Sequence, residues 1–584
     1  MTLTKQLMTG NEAIACGFWE AGGRVVAAYP GTPSTEITEN AAKYSEIHAE
    51  WAPNEKVALE VGIGAAIAGA RSLVAMKHVG LNVAADPLFT AAYTGVNGGL
   101  VIVSADDPGM HSSQNEQDNR YYGRAAKVPV LEPSDSAEAK EFTKMALAVS
   151  EEFDTPVILR LTTRIAHSQS LVELDERQNL ELKDYVKDEI KYVMVPAHAR
   201  KRRVVVEQRL EALAVFSDNS PLNRIELSCD TSCGIIASGA IYQYVKEVLP
   251  EASVLKIGMS YPLPKKLIQE FASKVDKLYV IEELEPFMED AIKSWGIPVE
   301  GRSVFSALGE IFAEDIQNKL GDGLPVPPAE TSGIPVRPPV LCPGCPHRGV
   351  FHVLHQMKLT VSGDIGCYTL GCLPPLSAID TTVCMGYSVS GAHGMEMARG
   401  KDFAKHTVAV IGESTFIHSG ITGLINSVYN GGTTTTLILD NSITAMTGHQ
   451  ENPATGRNAK GEPAPQLDLV KLVKACGVKR VREVDPFDIK SLRQMLKEEL
   501  AAEEVSVIIT RRPCILINRQ AIAPALIVDP EKCTNCGNCM KIGCPCIGKA
   551  ENHVVINASQ CVGCGLCEKL CGFGAIGRDG GKNE

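Results

Sequence analysis

The stretch GESTFIHSGITGLINSVYNGGTTTTLILDN, Gly412 to Asn441, predicts a strand that ends at Gly412, then a helix, then a second strand. Short apolar runs that end in Gly-rich or polar loops are typical of buried parallel strands. If the two strands are neighbours, Glu413 and Asn441 lie at the carboxyl ends of one sheet and face one crevice. Carboxylate and amide oxygens are ligands that Mg²⁺ prefers, and glycines beside a helix N-terminus suit a diphosphate. The stretch therefore predicts an α/β domain that binds a magnesium diphosphate.

The same strand pattern extends the α/β prediction to most of the chain. Residues 1–175 contain "GRVVAAYPGTP", "GGLVIVSADDPG" and "TPVILRLTTR", and residues 231–325 contain "GIIASG", "SVLKIG" and "KLYVIEE". Residues 176–230 are highly charged, and "HARKRR" within them is interpreted as a solvated face. The Pro-rich segment 326–341 is expected to be a semi-rigid extended linker. The predicted folded domains are 1–175, 231–325, 342–522 and a terminal module, 523–584.

The composition indicates a soluble, cytoplasmic protein. The chain has 584 residues, 45% of them hydrophobic, and a formal net charge of -12, which argues against a general nucleic-acid or anionic-membrane binder. We expect no secretory leader and no membrane span, because the most apolar stretch, Val61 to Ala70, is too short to cross a bilayer. Reducing thiol pools disfavour disulfides in such a compartment, so the 19 cysteines are expected to bind metal or clusters.

Two cysteine runs near the end of the chain predict two 4Fe–4S clusters. Each run has the spacing C-x2-C-x2-C, followed by a fourth cysteine that in two-cluster ferredoxins ligates the other cluster. The first cluster is therefore assigned to Cys533, Cys536, Cys539 and Cys571, and the second to Cys561, Cys564, Cys567 and Cys544. Two departures are visible: four residues separate Cys539 from Cys544 where three are usual, and Gly rather than Pro follows Cys571. Zinc sites or a redox-inactive cluster are the alternatives, and Cys546 is left as a spare thiol.

The motifs together resemble those of one enzyme family. The spacing from Glu413 to Asn441, followed by "TGHQ", resembles the thiamine diphosphate motif of the 2-oxoacid:ferredoxin oxidoreductases. "YPGTPSTE", Tyr29 to Glu36, is similar to the loop that opens the pyrimidine-binding domain in that family. "CPGCPHR" and the domain order most closely resemble the alpha (large) subunit of indolepyruvate:ferredoxin oxidoreductase. The resemblance spans essentially the whole chain. One departure is Glu413, where the family usually has Asp, so this metal ligand is longer than expected.

The resemblance implies the fold of each domain. It predicts two thiamine-diphosphate-binding-type α/β domains, a pyrimidine-binding one at 1–175 and a diphosphate-binding one at 342–522. It further predicts a transketolase C-terminal-like α/β domain at 231–325 and a ferredoxin-like domain with two 4Fe–4S clusters at 523–584.

The resemblance also implies roles for single residues. Glu60, within "ALEVGIGAAIAGA", is expected to hydrogen-bond the aminopyrimidine ring of the cofactor, with Glu55 as the second candidate. The alternative for either glutamate is an exposed helix charge. Thr32 is expected to hold the substrate carboxylate, unless it only stabilises the turn with the following proline. The expected Mg²⁺ ligands are Glu413, Asn441 and the carbonyl of Ile443, and the other cofactor contacts are Ser414, Thr447 and Gly448.

A third, proximal 4Fe–4S cluster is implied by cysteines in the cofactor domain. The expected ligands are Cys342, Cys345, Cys367 and Cys514. The alternative is a set of buried, inert thiols. Oxidation of the substrate in two one-electron steps requires an acceptor close to the cofactor, so the terminal clusters are interpreted as the exit route. The remaining cysteines are interpreted as structural: Cys16, Cys229, Cys233, Cys372, Cys384 and Cys476.

The activity implied is oxidative decarboxylation of aryl 2-oxo acids such as indolepyruvate, phenylpyruvate and hydroxyphenylpyruvate. Coenzyme A takes the acyl group to give arylacetyl-CoA and CO₂, and ferredoxin takes the electrons. A smaller beta subunit is expected to supply a family domain that this chain lacks. Met446, where pyruvate-type relatives carry Asn, fits a larger apolar pocket or is neutral. The alternatives are an oxidoreductase for pyruvate or branched-chain 2-oxo acids, and a non-catalytic electron-transfer subunit.

Overall fold

A computed structural model of the chain describes residues 4–321, 327, 330, 332–335 and 337–578. The chain divides into two units, Met1–Thr331 and Ser332–Glu584. The predicted Pro-rich linker lies partly outside the described residues. Within the described ranges, no helix combines the length and the apolar character needed to cross a membrane.

The first unit consists of the following elements in chain order: β1 (Lys5–Thr9), α1 (Gly10–Glu20), β2 (Val25–Ala28), α2 (Thr35–Ala41), β3 (His48–Trp51), α3 (Glu55–Ile67), β4 (Ser72–Lys77), α4 (His78–Val83), α5 (Ala85–Thr94), β5 (Leu100–Asp106), α6 (Arg120–Ala126), β6 (Val130–Leu131), α7 (Ser136–Glu152), β7 (Val157–Thr162), α8 (Thr163–His167), β8 (Gln169–Glu173), α9 (Glu189–Tyr192), α10 (Pro196–Asn219), β9 (Arg224–Glu226), β10 (Cys233–Ser238), α11 (Gly239–Val248), β11 (Ser253–Ile257), β12 (Met259–Tyr261), α12 (Lys265–Ala272), β13 (Lys277–Ile281), α13 (Phe287–Ser294) and α14 (Ala313–Leu320).

A seven-stranded sheet organises the first part of this unit, in the order β12-β6-β7-β5-β4-β2-β3. Its strands from β6 to β3 pair in parallel, and β12 joins antiparallel at the edge. Every residue of β4, β5 and β7 is buried, which explains why these strands are continuous apolar runs rather than alternating ones. The three strands predicted in 1–175 are present as β2, β5 and β7.

A second, four-stranded sheet has the order β13-β10-β11-β9 and contains the three strands predicted in 231–325. Its edge strand β9 comes from the charged region, whose main element is the 24-residue helix α10. In "HARKRR", Arg200, Lys201 and Arg203 are exposed. Arg202 instead turns inward and donates to the Tyr93 carbonyl at 2.6 Å and to Asp154 at 2.8 Å.

Buried charges connect the two sheets of the first unit. Arg120, which is fully buried, donates to Asp118 on its own loop and, at 2.7 Å, to Glu282 at the end of β13. Arg160 on β7 donates at 2.7 Å to Glu132, whose other bond is from Ser238 at the end of β10. Removing either partner of such a pair leaves a buried charge uncompensated. These ion pairs therefore fix the second sheet against the first.

The second unit consists of the following elements: α15 (His347–Met357), β14 (Thr360–Ser362), α16 (Tyr387–Arg399), α17 (Lys401–Ala404), β15 (Thr407–Gly412), α18 (Glu413–Thr415), α19 (Ile421–Tyr429), β16 (Thr435–Asp440), α20 (Leu469–Ala475), β17 (Arg480–Val484), α21 (Ile489–Leu500), β18 (Ser506–Arg511), β19 (Ile527–Val528), β20 (Ile547–Lys549), β21 (Val554–Ile556), α22 (Leu566–Leu570) and β22 (Ile576–Gly577). Short 3₁₀ turns lie at Cys367–Cys372, Arg519–Ala521 and Asn538–Ile542, and a π turn, Phe416–Gly420, connects α18 to α19.

A parallel five-stranded sheet, β14-β15-β16-β18-β17, forms the core of this unit. The two strands predicted on either side of the helix appear as β15 and β16, which are neighbours as predicted. Two small antiparallel ladders, β19–β22 and β20–β21, hold the terminal module. Because all strands of the five-stranded sheet run the same way, their carboxyl ends share one edge.

Candidate functional site

The carboxyl edge of the five-stranded sheet brings Glu413 and Asn441 together. They follow the ends of the adjacent strands β15 and β16. The Ile443 N–H donates to both Glu413 Oε1 and Asn441 Oδ1, each at 3.2 Å. Sharing one donor places the two side-chain oxygens side by side. We call Glu413 and Asn441 the oxygen pair.

The electrostatics of the oxygen pair suit a cation. Glu413 is 2% exposed, and burial, followed by the nearby Asp440 carboxylate, raises the pKa of Glu413 to about 8. Its carboxylate accepts weak N–H bonds from Asn441 at 3.4 Å and from the Asn452 amide at 3.3 Å. A cation would stabilise the charged form of this carboxyl, and hard oxygens are the donors that Mg²⁺ prefers. The residues present thus fit the predicted metal.

The loop after the oxygen pair is closed on itself. Thr444 and Gln450 exchange backbone hydrogen bonds at 3.0 and 3.1 Å, and the Thr444 hydroxyl donates to Ser414 Oγ at 3.0 Å. The Thr447 hydroxyl donates to the side-chain oxygen of Gln450. Gly448 has a φ of 125°, a conformation that favours glycine. Ser414, Thr447 and Gly448 therefore lie together at the edge of the sheet.

Two residues at this edge were missed by the sequence analysis. Asp364, fully buried after β14, accepts N–H bonds from Ile365, Gly386 and Ser388 at 2.9 Å each. It thereby fixes the start of α16. The signal that could have found it is an acidic residue directly after a strand, in "VSGDIGC". Asn452, which donates to Glu413, lies in a loop without any motif.

The four cysteines predicted for the proximal cluster lie at the same edge; we call Cys342, Cys345, Cys367 and Cys514 the proximal cysteines. Burial raises the pKa of the Cys345 thiol to about 12 and that of the Cys367 thiol to about 11. The nearby Cys342 thiol raises the pKa of both groups further, and the Cys514 thiol raises the pKa of Cys367. The Cys514 N–H donates to the Asn441 carbonyl at 2.8 Å. Sulfurs brought together in this way are the donor set that an iron–sulfur cluster uses.

The terminal module contains two cavities, each lined by one predicted ligand set. Cys533, Cys536, Cys539 and Cys571 line the first. The second is lined by Cys544, Cys561, Cys564 and Cys567, together with Cys546. The fourth cysteine of each run thus lies with the other run, which is the crossed arrangement that the spacing predicts. The donor sets therefore fit two clusters.

In the first unit, the loop "YPGTP" meets the ends of β4 and β5. The Ser112 hydroxyl donates to the Thr32 carbonyl at 3.5 Å, and the Lys77 ammonium donates to the Ser112 carbonyl at 2.6 Å. A Cβ on Gly31 would lie only 3.1 Å from the Lys77 Cβ, so the loop packs closely against this lysine. Burial lowers the pKa of Lys77 to about 8. Sequence reasoning missed Lys77, which gives no signal beyond its place at a strand end.

The two candidate glutamates of α3 have different surroundings. The Asn54 side chain accepts the Val57 N–H at 2.9 Å and caps the helix, which makes Glu55 its first residue, close to the end of β3. Glu55 is 5% exposed, and its carboxyl fills the space beside Gly80, where a Cβ would lie 2.9 Å from Oε1. The Glu60 side chain is 48% exposed and pairs with Lys56 one turn earlier. Of the two, Glu55 is the buried carboxyl at the sheet edge.

Three family models match the chain. "Pyruvate flavodoxin/ferredoxin oxidoreductase, thiamine diP-bdg" matches residues 17–212, and "Thiamine pyrophosphate enzyme, C-terminal TPP binding domain" matches residues 364–510. "4Fe-4S dicluster domain" matches residues 525–572. The predicted α/β fold, with two thiamine-diphosphate-binding domains and a two-cluster module, is confirmed.

Curated relatives match along almost the whole chain. The indolepyruvate oxidoreductase subunit IorA of Archaeoglobus fulgidus is 40% identical over 610 residues, which cover 98% of this chain and 97% of that protein. IorA of Thermococcus kodakarensis is 40% identical over 625 residues, covering 98% and 96% of the two chains. IorA of Methanothermobacter thermautotrophicus is 40% identical over 608 residues, covering 99% and 98%.

Paired cysteine substitutions test the crossed ligation. In C533A/C571A both changes fall on the first cavity, so we expect one cluster to be lost. In C561A/C571A the changes fall on both cavities, so we expect both clusters of the module to be lost. Iron content and EPR of the dithionite-reduced proteins measure this, and each double variant is the control for the other. Loss of both clusters in C533A/C571A and of one in C561A/C571A would show uncrossed ligation.

Proposed function

The chain belongs to the IorA family of indolepyruvate oxidoreductase subunits, thiamine-diphosphate-dependent enzymes with a 4Fe–4S dicluster domain, and we propose how it carries out that reaction. In our proposal it is the catalytic subunit that decarboxylates indolepyruvate and other aryl 2-oxo acids. Coenzyme A takes the acyl group, and the electrons leave through the clusters to ferredoxin. A smaller beta subunit completes the enzyme in the cytoplasm.

The observation that carries the proposal is the hydrogen bond from the Cys514 N–H to the Asn441 carbonyl, 2.8 Å long. It joins the oxygen pair to the proximal cysteines across the adjacent strands β16 and β18. Bound thiamine diphosphate supplies the electron sink for decarboxylation. An acceptor beside it serves two one-electron oxidations, whereas a decarboxylase without redox chemistry has no use for one. This adjacency favours oxidative over simple decarboxylation.

The residues of the second unit bind and orient the cofactor in this proposal. Glu413, Asn441 and the Ile443 carbonyl hold Mg²⁺, and Ser414, Thr447 and Gly448 contact the diphosphate. Support comes from the shared N–H that aligns the oxygen pair and from the closed loop that gathers the other three residues. The proximal cysteines hold a third 4Fe–4S cluster. Asp364 does not contact the cofactor in this proposal. It fixes the start of α16 at the same edge by accepting the Ser388 N–H.

We assign the contact with the aminopyrimidine ring to Glu55 rather than to the first choice, Glu60. A carboxyl that exchanges a proton with a ring nitrogen works best when it is held rigidly and shielded from water. Glu55 is buried at the first turn of a capped helix. Glu60 is half-exposed and already paired with Lys56. The burial of Glu55 supports this reassignment.

The substrate carboxylate is held by Thr32 and Lys77 in this proposal. Lys77 is buried, and the carboxylate that acts on its ammonium, Asp107, already accepts hydrogen bonds from the Ser113 and Thr163 hydroxyls. Burial still disfavours the charged ammonium, so an incoming carboxylate would stabilise it. Thr32 lies on the loop that rests on Lys77. The pair thus offers a hydroxyl and a positive charge at one place.

Contacts within the second unit support an order for electron transfer. A Cβ on Gly344, in the CPGC loop, would lie 3.6 Å from the Cys564 Cβ, so the proximal cysteines adjoin the second cavity. The first cavity is lined by the exposed Cys536 and by Phe573, which is 54% exposed. Electrons therefore pass from the proximal cysteines to the second cavity, then to the first, and leave there.

A substrate panel tests the proposed reaction. The chain, co-purified anaerobically with its partner subunit and supplied with coenzyme A, is expected to reduce a viologen faster with indolepyruvate and phenylpyruvate than with pyruvate or 2-oxoisovalerate. Faster reduction with pyruvate or 2-oxoisovalerate would support the proposed mechanism but contradict the preference for aryl substrates. No turnover with any 2-oxo acid, from protein that holds its iron, would favour a subunit that only transfers electrons.

Glutamine substitutions in α3 test the assignment of Glu55. E55Q is expected to lower kcat by a factor of about 10² to 10⁴, because the proton-exchanging carboxyl is lost. E60Q, the matched control, is expected to change kcat by no more than about twofold, since exposed ion pairs contribute little. Steady-state kinetics at saturating thiamine diphosphate give both values. A large loss in E60Q with normal turnover in E55Q would restore Glu60 as the ring contact.

A further inference from the structure

Arg348, at the second position of α15, is a buried cation without a carboxylate partner. Arg348 is 2% exposed, and among the residues that the structure describes no carboxylate forms an ion pair with it. The guanidinium instead donates to four backbone carbonyls: Leu341, Cys342, Ile542 and Gly543. Carbonyl dipoles satisfy its N–H groups but supply no negative charge. A buried positive charge of this kind is costly unless an anion lies nearby.

The four carbonyls come from two separate cysteine loops. Leu341 and Cys342 begin the CPGC loop of the proximal cysteines. Ile542 and Gly543 form the turn between Cys539 and Cys544, which has one residue more than the usual ferredoxin spacing. Arg348 Nη1 donates to both carbonyls of this turn, at 2.9 Å to Ile542 and closer to Gly543. The extra residue thus belongs to the turn that receives the guanidinium.

Cysteine residues of both loops adjoin the guanidinium. In the CPGC loop, the guanidinium donates to the carbonyl of Cys342 itself. In the terminal module, Arg348 lines the second cavity together with Cys544 and Cys546. Sulfur ligated to iron carries negative charge, so a cluster bound at either adjoining site would supply the anion that the described carboxylates do not.

We propose that Arg348 is a positioning residue that holds the proximal cysteines against the second cavity of the terminal module and, through its charge, raises the reduction potential of the cluster bound there. A reduced cluster carries one more negative charge than an oxidised one. A fixed cation at low dielectric therefore stabilises the reduced form. The effect is larger for the second cavity, which Arg348 lines, than for the first. The proposal rests on the proposed function only in taking the chain to hold its clusters.

Two substitutions separate the charge of Arg348 from its hydrogen bonds. R348Q removes the charge but keeps two N–H donors, and R348K keeps the charge but cannot bond four carbonyls. K541Q is the matched control, because it removes an exposed cation from the same turn, where water and salt screen the charge. Each variant is prepared anaerobically as the full chain with its partner subunit. An EPR-monitored redox titration with dithionite then gives the potential of each cluster.

We expect R348Q to shift the potential of the cluster in the second cavity to a more negative value, with a smaller shift in the first cavity. R348K and K541Q are expected to keep wild-type potentials. Loss of iron in R348Q, with R348K intact, would also support the need for the charge. An unchanged potential in R348Q would overturn the proposal. Equal shifts of the potential in R348K and R348Q, with iron retained in both, would overturn the role of the charge in favour of a purely structural clamp.

The titration needs no 2-oxo acid, because dithionite supplies the electrons. A failure of the enzyme to turn over indolepyruvate would therefore leave the outcome readable. Conversely, unchanged potentials in R348Q would reject only the role of Arg348 and not the proposed reaction.

Discussion

The hydrogen bond from the Cys514 N–H to the Asn441 carbonyl joins the loops after the neighbouring parallel strands β16 and β18. The rest of the site depends on this common edge of the sheet. Parallel strands must end at a common edge, and β14, β15, β16 and β18 all end there. Their loops carry Asp364 and Cys367, then Glu413, then Asn441, then Cys514, in the order of the sheet. Oxygen and sulfur side-chain groups that are far apart in sequence thereby become neighbours. The register of the sheet therefore fixes Glu413, Asn441 and Cys514 relative to one another.

A second constraint attaches the terminal module to that edge. The CPGC loop packs against Val562, where a Cβ on Gly344 would lie 2.6 Å from Cγ2, and Arg348 spans the two cysteine loops. Buried polar contacts of this kind are worth little stability on their own, since desolvation offsets much of the attraction. In our proposal their value is positional, because they keep successive sulfur sites close enough together for one-electron transfer.

Much of this architecture could be predicted from the sequence, because apolar strand patterns and cysteine spacing are local signals. The neighbouring strands behind Glu413 and Asn441 and the crossed cavities are examples. Roles that depend on tertiary burial are harder to find in this way. Asn452 and Lys77 give no distinctive pattern, Asp364 is marked only by its place after a strand, and the motif CPGCPHR does not show that Arg348 is buried without a carboxylate partner. The resemblance alone separates Glu60 from Glu55 poorly, because both precede the small-residue run. Five residues turn a helix by about 140°, however, so the two carboxyls point to different surroundings. Helix α10 was also missed, because its charged composition hides the few residues that it buries.

The central claim is that electrons from a 2-oxo acid enter this chain's own clusters directly. The test is to mix the anaerobic enzyme, holding thiamine diphosphate and its partner subunit, with indolepyruvate in a stopped-flow instrument without any external acceptor. The account predicts that the cluster absorbance bleaches within the first turnover and that freeze-quenched samples show the EPR signals of reduced clusters. Clusters that bleach with dithionite but never with indolepyruvate would contradict it.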